Sequence, residues 1–466
     1  MKNPVAKFFP FILLIGFFAF IIVKDVDIPS WLTISLGGLG ALALLALGLR
    51  KPEIPFYVLV IYLPFNKILS GTFGGFMTAV NMTNILILIT IICWIMNGMS
   101  TQKKLFENTA FNWVVFLFCL LGVLSVVKAS FDYGTGYFME FIIPLKRWLT
   151  PVLLYYLALN LIRDKEMLKN TVIIILAVLT VVGLMTIKES IDIGDAGSLD
   201  SSRVNGIAGQ PNMMGAFFVY YMFLFLAFFY LNWHKFASWF LLLPFLICFR
   251  GIQVTFSRGA YLAFAVGVTA ITFFKNKFLF FLICIAILFM VLNPQFLPGG
   301  LQYAVSRTVK GPGAYGDPSL EDRVDSSSST RIEIWKGAAE IIKDHPLTGV
   351  GYGVFPYVLP QYVPQVGEMD AHNTFLIIAT EMGIPTLLVF LWIILVVFRH
   401  SLWLYTRSKD LFIKAVGLGM LGGISGMVIA NLFGSRLESE EVSAYFWILS
   451  GLIVKAVIMC KRKELA

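Results

Sequence analysis

Charge is scarce in this 466-residue chain: Asp, Glu, Lys and Arg make up 14% of it, against 58% hydrophobic residues. A soluble protein of this length cannot bury so much apolar surface. The composition therefore excludes a soluble globular enzyme and implies a polytopic membrane protein. Cysteine is also sparse. The five, Cys93, Cys119, Cys248, Cys284 and Cys460, have neither metal nor redox spacing, and the first four lie in apolar runs. That excludes a disulfide framework and a cysteine metal site and leaves packing. Internal repeats are missing, as is any low-complexity tract beyond the serine run at 326–329. A formal net charge of +9 raises nucleic acid as a partner. The cations, however, stand in short clusters between apolar runs, so no nucleic-acid partner is expected.

What is abundant is apolar and aromatic. Forty-three Phe and ten Trp suit a lipid-facing surface with aromatic belts. Fourteen runs qualify as spans, near 8–23, 30–49, 54–70, 81–98, 110–128, 145–163, 170–187, 212–232, 236–255, 258–274, 277–293, 372–398, 411–432 and 443–460. Several fall short of the roughly 20 residues a bilayer requires. The 54–70 run holds Pro55, Pro64 and Lys67 and reads equally as re-entrant, so twelve spans with two re-entrant pieces is the alternative count. The basic start "MKNPVAKFF" lacks a small-x-small cleavage site, so it reads as the entry to a first span. The predicted fold is an all-α polytopic bundle with about eleven spans over 1–293, a large loop over 294–371 and three spans over 372–466.

Charge orients this arrangement. With the N-terminus inside, the inner loops hold Arg50–Lys51, Lys103–Lys104, Arg163–Lys165–Lys169, Lys235, Lys275–Lys277, Arg399–Arg407–Lys409 and Lys461–Arg462–Lys463. The outer loops hold most of the acids, among them Asp132, Glu189, Asp192, Glu438, Glu440 and Glu441. Loops are usually a few residues long, so 294–371, on the outer face, reads as a cap or a small domain. Within it "SSSST" at 326–330 offers an N-cap, and Ile332, Trp335, Ala338, Ala339 and Ile342 trace an amphipathic stripe ending before Pro346. Such a helix would lie on the membrane surface or over a cavity.

Three polar stretches stand out, all on the outer side. "SSRVNGIAGQPNMMGAFF" (201–218) carries Arg203 among glycines, Pro211 and Asn212. "VTFSRGAYLAF" (254–264) carries Arg258, and "DAHNTFLIIATEMGIP" (370–385) carries Asp370, His372, Asn373 and Glu381. A lone interfacial arginine ordinarily snorkels to headgroups. These two run against the inward bias of the other cations, in turns that expose backbone N–H groups. Arginine's planar fork holds phosphate oxygens in pairs, so a phosphate ligand at the outer surface is the competing reading. Lys146–Arg147 read either as part of an interfacial amphipathic helix at 138–148 or as ligand-binding. Arg331 opens the loop helix, where a cation gains nothing from the helix dipole, so another partner is expected to hold it.

The four histidines divide. His234 and His400 fall in inner basic loops and read as solvated. His345 precedes Pro346 and reads as structural. His372 is open to two readings: a proton acceptor near neutral pH oriented by Asp370, or a bystander in a cluster where Asp370 or Asn373 caps the next helix. "GVGYGVF" (349–355) has no strand before it and does not read as a nucleotide loop. The acidic "EDRVD" (321–325) reads as a solvated loop.

Taken in order, "RVNGIAGQPNMMGAFF", "TFSRGAYLAF", "STRIEIWKGAAEIIKDHPLTGVGYGVF" and "AHNTFLIIATEMGIPTLLVFL" resemble the motifs of the O-antigen ligase/polymerase family of bacterial membrane glycosyltransferases. The resemblance spans about residues 200–400 and includes the large loop before the histidine. It implies an inner-membrane enzyme with its site on the periplasmic face. Such an enzyme takes a glycan from undecaprenyl diphosphate and joins it to an acceptor sugar hydroxyl, on lipid A core for a ligase or on a lipid-linked repeat for a polymerase. The family's chemistry is inverting and uses neither a metal nor another cofactor. By the same resemblance Arg203 and Arg258 grip the diphosphate, His372 is the base, and Arg331 matches the arginine before the loop-helix Trp. Arg147 is a further candidate for the diphosphate; Asn212, Asp370, Asn373 and Glu381 are candidates for support. Glu381 lies nine residues after His372, half a turn out of phase, and is expected to serve the helix break at Gly383–Pro385 rather than the histidine. A flippase or transporter of lipid-linked glycans is the alternative from another class. It would place its charges at the bilayer midplane rather than at one face.

Overall fold

A computed structural model describes residues 10–11, 13–17, 30–73, 81–101, 104–194, 202–296, 302 and 326–463. Most of the expected 8–23 span and the whole "EDRVD" segment lie outside that set. Among the described residues the chain is all helix, with no strand. Eighteen helices follow in order: α1 Ser30–Arg50, α2 Glu53–Tyr62, α3 Asn66–Phe73, α4 Met82–Ser100, α5 Ala110–Tyr133, α6 Thr135–Leu161, α7 Lys165–Ile193, α8 Pro211–Tyr221, α9 Phe223–Asn232, α10 Phe236–Trp239, α11 Leu242–Val254, α12 Arg258–Lys275, α13 Lys277–Leu292, α14 Ser326–Asp344, α15 Phe355–Tyr362, α16 Thr374–Arg407, α17 Leu411–Leu432 and α18 Glu440–Lys461. Nine of the described helices, counting α8–α9 and α10–α11 as one each, are long and apolar enough to cross a membrane. The chain is a multi-pass helical membrane protein.

Local signals start the helices where the sequence places them. Thr109, Asp164 and Asp410 accept N–H groups of the first turns of α5, α7 and α17. The middle of the bundle is formed by α8–α9, α17 and α18, buried on nearly every side. Small residues let these helices touch. At Gly423 an added Cβ would lie 2.2 Å from the Tyr220 carbonyl oxygen.

Some expectations need correction. The 54–70 run is broken: α2 passes through a 3₁₀ turn at Leu63–Phe65 around Pro64 into the short α3. The 138–148 stretch is no separate interfacial helix, because α6 is continuous from Thr135 to Leu161 through Pro144 and Pro151. The inner "loop" at 399–409 is largely the end of α16, and His400 lies half-buried on that helix beside Trp392, Trp403 and Lys461. The loop helix α14 begins at Ser326, so "SSSST" lies within it. It is amphipathic, but on a different face. Ile334, Ala338 and Ile341 are buried against α15 and α16, while Ile332 and Ala339 are exposed.

The decisive irregularity is in α16. Gly383 has φ 84° and ψ 164°, with Pro385 two residues on. A break there frees carbonyls that hydrocarbon cannot satisfy. The glycine-rich turn "GVGYG" supplies donors. Val350 N–H donates to the Thr380 carbonyl (2.8 Å) and Gly351 N–H to that of Glu381 (2.9 Å). Ile384 N–H in turn donates to the Pro346 carbonyl at 2.8 Å, and Ser125 Oγ donates to the Glu381 carbonyl at 2.8 Å. Gly383 cannot be replaced without strain, since an added Cβ would lie 2.2 Å from the Leu347 carbonyl oxygen. Gly383→Ala is therefore expected to destabilise the protein by about 1–3 kcal/mol or more. A lower midpoint in detergent thermal unfolding checks this, and an unchanged midpoint would remove the wrapped kink from the fold's supports.

Candidate active site

The three polar stretches arrive at one end of the bundle. Arg163, Lys165, Glu107, Asp410 and Arg462 gather at the opposite end. There Lys165 pairs with Asp410 at 2.5 Å, and Glu107 takes Lys455 at 2.8 Å and Arg462 at 3.0 Å.

The Arg203 segment is clamped from several sides. The Glu189 carboxylate accepts the N–H groups of Asn205 and Gly206, each at 3.0 Å. Lys67 Nζ donates to the Ala208 carbonyl at 2.8 Å. This gives the unexpected lysine of the 54–70 run a structural task. Val204 N–H donates to the Val254 carbonyl at 3.3 Å, docking the segment on the end of α11. Arg203 then reaches across. Its Nε donates to the Thr255 carbonyl (3.0 Å) and an Nη to Asn212 Oδ1 (3.1 Å). Thr255 belongs to the tight turn that delivers Arg258. In that turn Phe256 has φ 49°, and the Thr255 hydroxyl donates to the Ile252 carbonyl and accepts Ser257 N–H. Arg258 is the first residue of α12. A cation at the positive end of a helix dipole, next to a second arginine, makes this turn favourable for an anion.

His372 stands on a loop held at several points. Asn373 caps α16, its Oδ1 accepting the N–H groups of Phe375 and Leu376 at 3.0 and 3.2 Å. Asp370 is therefore free of the capping task and serves the histidine. One Asp370 oxygen accepts His372 N–H at 3.0 Å and lies 3.2 Å from His372 Nδ1. Ser435 Oγ donates to the same carboxylate at 3.0 Å. Trp335 Nε1 of α14 donates to the Ala371 carbonyl at 2.9 Å, so the loop helix also fixes the histidine's neighbour. His372 itself has φ 49°, a conformation that histidine tolerates better than most residues. Its side chain is 46% exposed. An imidazole held at Nδ1 by a carboxylate can accept a proton at Nε2.

The segment Phe433–Arg436 bridges the histidine to the arginines. Ser435 holds Asp370, Phe433 packs near the Trp335 ring, and Arg436 lies against Gly259, next to Arg258. Arg331 acts on Arg436 through its charge. Arg436 was not singled out from the sequence. Yet it is an outer-loop arginine in "GSRLE", set against the same charge bias as Arg203 and Arg258. The structure does not bring Arg147 into this group: it is exposed on α6, where Lys146 and Arg147 act on Glu440. Glu381 also stays apart from His372. It is buried and lines a cavity with Trp148, Tyr352, Glu438 and Trp447, its carboxylate turned toward the N–H groups of Gly353 and Phe355.

Burial pushes the Asp370 carboxyl up, but hydrogen bonds and charge from His372, with Ser435, outweigh it and hold it below the usual carboxylate range. A depressed folded pKa stabilises the fold above the ordinary carboxylate pKa, and that stabilisation is lost as pH falls through the lowered value. Asp370→Asn should therefore lower the unfolding midpoint at neutral pH, with the gap to the native chain closing in acid. Thermal unfolding over a pH series reads this directly, and a pH-independent gap would contradict the ionic pairing.

Residues 243–391 match the family model described as O-antigen ligase. The matched stretch contains Arg258, Arg331, Asp370, His372 and Glu381; Arg203 precedes it and Arg436 follows it. A comparison with curated proteins gave no match. The matched segment carries the loop helix, the wrapped kink and the histidine, and over it the chain is similar to the O-antigen ligase family, a glycosyltransferase-like family.

Proposed function

We propose that this protein transfers a glycan from undecaprenyl diphosphate to an acceptor sugar hydroxyl at the periplasmic face of the bacterial inner membrane. The observation that carries this reading is the Asp370–His372 pair at the same end of the bundle as Arg203 and Arg258. The domain division follows: spans over 1–293, an extracytoplasmic loop over 294–371 that braces the histidine, and three spans over 372–466.

In this reading His372 Nε2 takes the proton of the acceptor hydroxyl as its oxygen attacks the anomeric carbon. The bond from that carbon to the diphosphate oxygen breaks, and the electron pair leaves with the lipid diphosphate. Attack opposite the leaving group inverts the anomeric configuration. Arg203 and Arg258 stabilise the charge that grows on the leaving oxygens, an interaction stronger in the transition state than in the ground state. Asp370 keeps the imidazole in the required tautomer and stabilises the imidazolium. Asn212 and Asn373 act as supports, the first by holding Arg203 and the second by capping α16 beneath the histidine. The chemistry assigned to these residues does not call on a metal, so transfer should persist in EDTA.

The acceptor distinguishes two forms of this function. Purified protein is incubated with undecaprenyl-diphosphate glycan, with and without lipid A core. Product only with the core marks a ligase, and chain growth without it marks a polymerase. His372→Ala should lower transfer by roughly 10²–10⁴-fold while donor binding is retained. Arg203→Ala and Arg258→Ala should instead weaken binding of the lipid diphosphate. Transfer surviving in His372→Ala would overturn the base assignment, and unchanged donor affinity in both arginine variants would overturn theirs.

A further inference from the structure

Arg436 is an anomaly in the bundle. It sits on the 3₁₀ turn Arg436–Glu438 between α17 and α18 and is 2% exposed, the largest of the fully buried side chains. Its Nε and Nη1 find no hydrogen-bond partner among the described residues. Burial lowers its pKa to about 10, with Arg331 adding to the lowering, so it remains a cation at neutral pH. An unpaired buried charge costs several kcal/mol.

The ordinary explanations for such an arginine fail here. It cannot snorkel, because its guanidinium is enclosed. No described carboxylate makes an ion pair with it, and the charged group acting on it is another arginine. The backbone around it is instead shaped to admit it. A Cβ at Gly259 would lie 2.7 Å from its Nη2, and one at Gly434 would lie 2.6 Å from its Nε. A second orphan donor sits close in the chain: Ser257 Oγ, two residues before Gly259, is buried without a partner. Donors lacking acceptors, beside the turn that carries Arg258, suit an anion.

We propose that Arg436 is an inner phosphate-binding residue of this site, its Nε and Nη1 taking oxygens of a diphosphate with Ser257 Oγ as an added donor. The inference rests on the reading of a lipid-diphosphate donor given above. It goes beyond that reading in placing a third arginine behind Arg258, bonded through its neighbour Ser435 to Asp370. A bound diphosphate would then be sensed one residue away from the hydrogen bond that orients the catalytic imidazole.

The test uses the full-length chain in detergent, with undecaprenyl diphosphate and inorganic pyrophosphate as separate probes, read by ligand-induced thermal stabilisation and by titration. The expected result is that the native protein is stabilised by the lipid probe, and that Arg436→Met binds roughly 10- to 100-fold more weakly. Without ligand, Arg436→Met should be as stable as the native chain or more so, because removing an uncompensated buried charge relieves its cost. A purely structural arginine would show the opposite. Gly259→Ala keeps the arginine and displaces its guanidinium, so it should weaken binding in the same direction even if Arg436→Met folds poorly. Arg436-dependent binding of pyrophosphate alone would identify the diphosphate group as sufficient, and dependence seen only with the lipid form would identify the lipid-linked ligand. Native affinity in Arg436→Met or Gly259→Ala overturns the proposal for Arg436 and leaves the donor reading intact. No binding of either probe to the native chain overturns both.

Discussion

A broken helix in hydrocarbon must have its carbonyls satisfied, and the organisation of this site depends on how α16 meets that requirement. The break at Gly383 leaves the carbonyls of Thr380 and Glu381 without helical donors. The turn around Gly349–Gly353 answers them with its own N–H groups, and Ser125 of α5 adds a third donor. The turn is thereby pinned to the first half of α16. Because α14 enters that turn and α15 leaves it, both are pinned as well. Trp335 then reaches the Ala371 carbonyl, and the histidine loop is held from above. The glycines that look like a nucleotide loop in the sequence are there for backbone conformation: Gly349, Gly351 and Gly353 all have positive φ.

The second organising feature is a gathering of arginines at one end. Arg203, Arg258, Arg331 and Arg436 come from four different segments. Arg203 is placed by short-range hydrogen bonds, and Arg436 by glycines that let the backbone approach it. Like charges brought together at a partly desolvated site raise the energy of the empty protein, and an anion lowers it. The same chain of contacts, Arg436 beside Ser435, Ser435 to Asp370, Asp370 to His372, links the histidine loop to the arginine turns.

Much of this was readable from the residues. Long apolar runs specify helices because a membrane offers backbone groups no other partner, so the span positions from 110 onward differ from the observed helices mainly at their ends. Arg203 and Arg258 were visible because they oppose the charge bias of the other loops. The errors have physical causes too. The α14 stripe was assigned to Ile332, Trp335, Ala338, Ala339 and Ile342, of which Ala338 is buried, because a short helix with apolar residues on two sides leaves its rotation undetermined until a partner surface exists. Pro144 and Pro151 gave no sign that α6 would run unbroken.

What the sequence alone determined is what one-dimensional patterns carry: membrane residence, helical class, the loops that share an end, and the residue types suited to phosphate and proton transfer. Those follow from solvation and from side-chain chemistry, which act locally. The tertiary structure decided which of those residues meet. The capping of α16 by Asn373, the release of Asp370 to hold His372, the separation of Glu381 from that histidine, and the burial of Arg436 against Gly259 all depend on contacts between segments 60 to 180 residues apart or on a rotamer chosen within one turn. No local pattern encodes such contacts, because their energy appears only once both surfaces have been removed from lipid and water.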